Sequence, residues 1–381
     1  MNQGGTVRGG TITDAEKAAR LRLNAAACLK GDWALRLIGL YGSAQEALRV
    51  SPWDLAAEGG LTFTGAQRAL REAAVHDPEK ELSRCASLGI SVVFDGTPGY
   101  PAALRDLPDR PLVLYMRGAL KGGASVGMVG TRLPTPYGRR MAARIAADLA
   151  GAGATVVSGL ARGVDTICHE AAVKAGKPTW AVVGTGLDSC YPKENRRLME
   201  SILETGGAVM SELPLGSGPL PAHFPRRNRI IAGLSLATVV IEGGFASGAL
   251  ITARFALEYG REVLALPGPA DSDMSRGPNK LLKDGAAPVE GAADIIAALP
   301  PEVQDGLKAA RRRAARKARK GPEGDAGELF SLISAEKDSG LTADALVERL
   351  GWTVPRAAAA IFELEALGYI LQSAGKYFPQ G

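Results

Sequence analysis

Phe224-Pro225-Arg226-Arg227-Asn228-Arg229-Ile230-Ile231 sets three guanidinium groups where a loop turns into a helix, inside a region of alternating apolar strands and helices. Pro225 suits a first helical turn, and Arg226 and Arg229, three residues apart, share one helical face. Asn228 can hydrogen-bond to a backbone or a base. A helix N-terminus attracts phosphate through its free N–H groups and its dipole, so the arginines add to a field already present. The block reads as a site for a polyanion. The competing reading pairs the arginines with acids such as Glu242 or Asp165.

Around this block, from about Ser125, the pattern is that of βαβ units and a parallel sheet. Strands are expected near Val126–Val129, Thr155–Val157, Thr179–Val183, Ala208–Met210, Ala237–Ile241 and Val263–Leu266, with helices between them. The stretch from Leu82 to Gly118 adds strands that introduce the sheet. The fold class is α/β, an extended Rossmann-like doubly wound sheet.

Ligands of such sheets bind at the carboxyl ends of the strands, where this chain carries four glycine-bearing loops. The first is Gly130-Thr131-Arg132, with a close backbone approach and a bidentate cation. Ser158-Gly159-Leu160-Ala161-Arg162-Gly163-Val164-Asp165 follows the second strand, and its amides and Ser158 hydroxyl are suited to cradling an anion. Gly184-Thr185-Gly186 leads on to Tyr191-Pro192-Lys193. The last, Glu242-Gly243-Gly244-Phe245-Ala246-Ser247-Gly248, precedes a helix containing Thr252. Each loop alone is equally well explained by turn geometry. Asp165, Glu242, Thr252, Gly184 and Gly186 are expected to support the site rather than to react.

The 381 residues carry 45 Lys and Arg against 40 Asp and Glu, a net +5, with a mean hydropathy of +0.02. Eight of those bases lie in residues 306–322, which contain no acid, leaving 37 against 40 elsewhere. Four scattered cysteines and three histidines suit neither a metal cluster nor a disulfide framework, and no metal or cofactor is expected. No stretch approaches the roughly eighteen apolar residues of a membrane span, so a cytoplasmic protein is expected. The fingerprints of dinucleotide sites, P-loops and hydrolase elbows are missing, which weighs against an enzyme.

Residues 1–80 read as short helices of a small domain like sterile-alpha-motif or helix-hairpin-helix modules, and residues 81–300 as the Rossmann-like domain. Residues 301–325 read as a basic linker. Residues 326–381, three helical patterns and a hairpin, read as a winged-helix-like domain. Its would-be recognition helix, Thr353–Leu367, holds Glu363 and Glu365 beside Arg356, a poor match to a major-groove reader; contact with a protein, or simple packing, suits it better.

Val129-Gly130-Thr131-Arg132, the Ser158–Asp165 loop, Gly184-Thr185-Gly186 with Tyr191-Pro192, Phe224 through Ser235, Ser247 through Ala253 and Pro267-Gly268 together resemble the DNA processing protein A family, also called DprA or Smf, over roughly residues 90–300. Thr131 and Val164 replace the usual Ser and Ile, and Pro221 stands where some members bear a base. The resemblance implies a non-enzymatic protein that binds and shields incoming single-stranded DNA, loads the RecA recombinase in natural transformation, and forms a homodimer. It carries the DNA pocket onto Arg132, Phe224 with the following arginines, and Lys193. Physically, Phe224 beside three arginines offers the stacking face and the cations that single strands need. The rival is a nucleotide phosphoribohydrolase, similar around Glu242–Thr252 but lacking that family's proline and downstream glutamate.

Overall fold

Seven short strands, β3 (Ser125–Val129), β4 (Thr155–Ser158), β5 (Thr179–Val182), β6 (Ala208–Ser211), β7 (Ala237–Val240), β8 (Glu262–Ala265) and β9 (Ala287–Pro288), run parallel. β1 (Ser91–Phe94) and β2 (Val113–Gly118) add antiparallel to β6, giving the order β1-β2-β6-β5-β4-β3-β7-β8-β9. This is a computed structural model, and it describes residues 12–26, 32–121, 123–309, 322–336 and 339–379. The segment 310–321, the heart of the basic linker expected from the sequence, lies outside the described residues.

The central strands are apolar throughout because both faces are covered. On one face Val126, Met128 and Val156 pack against Ile145 and Leu149 of α7 (Pro136–Ala152) and Cys168 of α8 (Val164–Lys174). On the other, Val129, Val157 and Val182 meet Ile230 and Ile231 of α10 (His223–Leu234) and Ala253 of α11 (Gly248–Glu258). The period-two alternation of a strand thus divides its side chains between two helix layers. From β3 the chain winds outward through α9 (Arg196–Glu204) to β6, then crosses back through α10 to β7 on the other side of β3, with α12 (Arg276–Lys283) and α13 (Ala292–Ala298) following β8 and β9. That reversal opens a crevice at the carboxyl ends of β3 and its neighbours.

Six helices precede the sheet: α1 (Asp14–Ala25), α2 (Trp33–Tyr41), α3 (Ala44–Ala47), α4 (Pro52–Gly59), α5 (Phe63–Val75) and α6 (Pro78–Ser87). The sequence places a domain boundary at residue 80, yet the apolar packing is continuous there. Leu21, Leu37 and Ala66 share a cluster with Val113, Tyr115 and Val209 of the sheet, and residues up to 308 form one unit. Polar links reinforce it: Asn24 Nδ2 donates to the Glu212 carbonyl at 2.9 Å, and the buried Tyr115 hydroxyl donates to Glu81 at 3.0 Å.

The second unit is a winged helix: α14 (Gly324–Ala335), β10 (Leu341–Thr342), α15 (Ala343–Leu350), α16 (Val354–Ala366) and the hairpin β11 (Ile370–Ser373) and β12 (Lys376–Pro379). Sequence reading missed β10, whose two residues are too short for any periodicity; it pairs with β12 to close a three-stranded sheet.

Because Glu81 is buried and also accepts the Leu215 amide at 3.2 Å, Tyr115→Phe removes one of its few partners. The variant is expected to lose ~1–2 kcal/mol, read as a lower denaturant midpoint with an unchanged slope.

Candidate nucleic-acid interface

Phe224, half-buried at the start of α10, lines a surface pocket, while Arg227 and Arg229 turn inward. Arg227 is 5 % exposed. Its guanidinium donates to the carbonyls of Gly159 and Val182, and through Nε to Asn228 at 3.1 Å. Gly159 must be glycine, since a Cβ there would collide with that guanidinium. Burial drops the Arg227 pKa to about 10 against the opposing pull of Asp165.

Arg226 and Arg229 share a face, as their spacing requires, but the face turns to a buried acid. Glu212, at the end of β6, takes Arg226 at 3.0 Å and also pairs with Arg229, which is 3 % exposed and has Asp109 at 3.8 Å. The expectation of a cationic face on Arg226, Arg227 and Arg229 is therefore corrected. Polar atoms of the protein take up their charge, and the competing ion-pair reading was right in kind while naming the wrong acid for two of the three.

The Ser158–Asp165 loop is corrected likewise. Asp165 Oδ2 accepts the Gly159 and Ala161 amides at 3.1 and 3.3 Å, and the Ser158 hydroxyl donates to the Met128 carbonyl at 2.6 Å. The anion this turn cradles is its own aspartate. Burial raises the Asp165 pKa, while Arg227 lowers it. Gly163 holds the loop with φ +79°, and a side chain there would strike the carbonyl of Thr131.

Glu242 is 2 % exposed and accepts both the Thr135 amide (2.8 Å) and hydroxyl (2.5 Å) at the start of α7. Its carbonyl accepts the Thr131 amide at 2.7 Å, while Gly130 makes room for Val164. Ser247 caps α11, and Gly248 accepts from Asn228 at 3.1 Å and from the buried Thr252 at 3.4 Å. These residues brace the edge from within.

What faces solvent is smaller. Arg132 is exposed, its guanidinium 5.4 Å from the centre of the Phe224 ring. Phe224 lies 5.6 Å from Tyr191 at 45°, on a seat that the absent side chain of Gly184 leaves open. Arg132, Gly159, Ala161, Gly184, Tyr191, Pro192 and Phe224 line one pocket with Arg162, which pairs with Glu194 at 2.5 Å. Lys193 is exposed in the turn after Pro192. Gly186 packs near the carbonyl of Pro214 and shapes the loop that leads to α10. Sequence reasoning quoted Tyr191 and Arg162 but omitted them from the site; an aromatic and a base at ends of adjacent strands were the available signal.

His169 in α8 is fully buried. Thr179 spends its proton on the Val156 carbonyl at 2.7 Å, so it accepts from His169 Nδ1 at 2.9 Å. Burial, then the charge of Arg227, depress its pKa to about 3.

A Rossmann-like sheet with a cation and aromatics at its carboxyl edge, in a chain that also has a winged helix, defines a protein of the DNA-processing class. The chain belongs to the family of DNA recombination-mediator protein A, whose model matches residues 91–300, and the DprA winged helix domain matches residues 313–376. It is 39 % identical over 292 residues to protein Smf of Escherichia coli, covering 73 % of this chain and 74 % of that one. With DNA processing protein DprA of Bacillus subtilis it shares 40 % identity over 215 residues, 56 % of this chain and 72 % of that one. The structure of DNA processing protein A from Streptococcus pneumoniae superposes with a TM-score of 0.64 at 32 % identity, covering 76 % of this chain and 99 % of that one. DNA processing protein A from Helicobacter pylori, solved for its single-stranded DNA binding mode, gives 0.50 at 30 % identity over 57 % and 96 %.

Two outcomes follow for stability. Glu212→Ala takes the shared acid from the half-buried Arg226 and the buried Arg229, leaving Arg229 only the more distant Asp109, and is expected to cost ~3 kcal/mol, measured by chemical denaturation. His169 has a folded pKa below its unfolded one, so the unfolded chain binds the proton first. Stability therefore falls as pH drops through 6.5 towards 3, by up to ~1.4 kcal/mol per pH unit. His169→Gln should flatten that slope in acid titrations of stability, while Asp165, common to both proteins, cancels.

Proposed function

We propose that the chain binds single-stranded DNA at the Arg132–Phe224–Tyr191 edge, and that it protects incoming DNA and hands it to a RecA-type recombinase in transformation or recombination. One observation carries the reading: an exposed guanidinium lies over an aromatic ring at the carboxyl edge of the sheet. A base can stack on Phe224 while its phosphate reaches Arg132, and stacking accepts any base. Lys193 lies on the same edge for a neighbouring phosphate. Gly130, Thr131, Ser158, Gly159, Ala161, Gly163, Ser247 and Gly248 then act by shaping the loops, and Arg226, Arg227, Asn228 and Arg229 by fixing the helix that presents Phe224.

The binding mode described for the Helicobacter pylori relative supports single-stranded DNA as the ligand. Recombinase loading and a homodimer through the Rossmann-like domain come from the family resemblance. A cytoplasmic site of action accords with DNA as substrate, and no described helix is long and apolar enough to cross a membrane. Glu242 and Asp165, the strand-end carboxylates that could act as acid and base, are committed to amides and a hydroxyl of the chain itself.

Fluorescence anisotropy with a labelled oligothymidylate of about 20 nucleotides, long enough for one single-strand site, tests the proposal. Tight binding that duplex competitor does not displace is expected. Phe224→Ala should weaken it by ~1–3 kcal/mol, roughly 5- to 150-fold. Equal affinity for duplex, or binding indifferent to Arg132→Ala and Phe224→Ala, would refute it.

A further inference from the structure

The winged-helix unit carries a second feature, independent of the DNA edge. Helix α16 buries Ala357, Ala360, Ile361 and Leu364 in its own core. At 100° per residue the opposite face is formed by Pro355, Ala359, Phe362 and Ala366, spaced i, i+4, i+7, i+11. That face is apolar too. Phe362 is 72 % exposed; Val354 (67 %) and Leu367 (61 %), also exposed, lie to either side of this face at the two ends of the helix. A helix apolar on both sides normally lies between two partners, and among the described residues of this unit only the core side is covered.

Charge narrows the choice of occupant. Glu363 and Glu365 lie on opposite flanks of Phe362, both exposed. Among the described residues of this unit eight acids face three bases, and each base is engaged. Arg349 pairs with Glu336 at 3.0 Å, and Lys376 donates to the Ser339 carbonyl at 3.0 Å. Arg356 pairs with Asp325 at 2.7 Å and lies 4.3 Å above the Trp352 ring. A duplex would meet a negative helix beside which the described residues of this unit offer no unengaged cation, and a second copy of the face would bring glutamates against glutamates.

We propose that this face of α16 docks a basic amphipathic segment of a partner protein, with an apolar side chain packed on Phe362 and Lys or Arg side chains reaching Glu363 and Glu365. The winged helix is then a protein-recruiting module that groups helix-in-groove contacts around one aromatic anchor.

The test uses the full chain and a fluorescein-labelled amphipathic helical peptide of about 18 residues built from Leu and Lys, long enough to span the face. Anisotropy should show micromolar binding, weakened about tenfold or more by Phe362→Ser and by the pair Glu363→Lys with Glu365→Lys. Arg132→Ala, and the pair Asp344→Lys with Glu348→Lys on α15, should leave it unchanged. Because Phe362 is exposed, its substitution leaves the fold intact, which circular dichroism checks. The proposal is overturned if wild type does not bind, if Phe362→Ser binds as wild type does, or if a Leu and Glu peptide binds equally well. It is also overturned if Phe362→Ser lowers the mass seen in sedimentation, which would assign the face to a second copy.

Discussion

The proposed DNA edge depends on one buried cation. Arg227 enters the sheet from α10 and gathers the carbonyls that end β4 and β5, with Asp165 as its counter-charge. An arginine here costs desolvation, and that cost is met only because its donors find carbonyls and the opposite charge lies in the next loop. In exchange the helix cannot rotate or slide without breaking those bonds. The ring of Phe224, three residues earlier, is thereby held over the glycine seat after β5.

The remaining arginines extend the same logic in the other direction. Glu212 gathers Arg226 and Arg229 beneath the helix, and its carbonyl also receives Asn24 from α1, so the N-terminal helices, the end of β6 and α10 meet at one residue. A cationic cluster that looks like a phosphate trap is largely neutralised from within. Among the described residues at this edge, Arg132 and Lys193 are exposed cations at the rim, and the proposal gives them to the phosphates. If a strand binds there as proposed, such an edge gains affinity from stacking as much as from phosphate, which suits a single strand whose bases are accessible and disfavours a duplex whose bases are not.

How much of this was legible in the sequence depends on the range of the interaction involved. The parallel strands were, because burial on both faces leaves an apolar run bounded by glycine turns, as at Val126–Val129 and Ala237–Val240. So was the crevice where the site is proposed, since strand ends and a topological switch follow from chain order. The direction in which each arginine points was not. It is decided by Glu212, brought beside α10 by a loop, and by Asp165 occupying amides that looked free for an external anion. Strand β10 escaped because two residues carry no pattern, and the continuity of α1–α6 with the sheet escaped because helix periodicity says which face is buried, not against what. The winged helix was visible, as was the acidity of its third helix, though the apolar stripe opposite its core only gained meaning once the buried face was known.

The division of labour between rim and interior arginines is open to one decisive measurement: the slope of log affinity for oligothymidylate against log salt, for Arg132→Gln and Arg226→Gln. Each phosphate neutralised on a single strand contributes about 0.7 to that slope. If Arg132 meets the strand and Arg226 serves Glu212, Arg132→Gln flattens the slope by about that amount and Arg226→Gln leaves it unchanged. A flattened slope in Arg226→Gln with an unaltered one in Arg132→Gln would contradict the assignment and return the arginine block to the DNA.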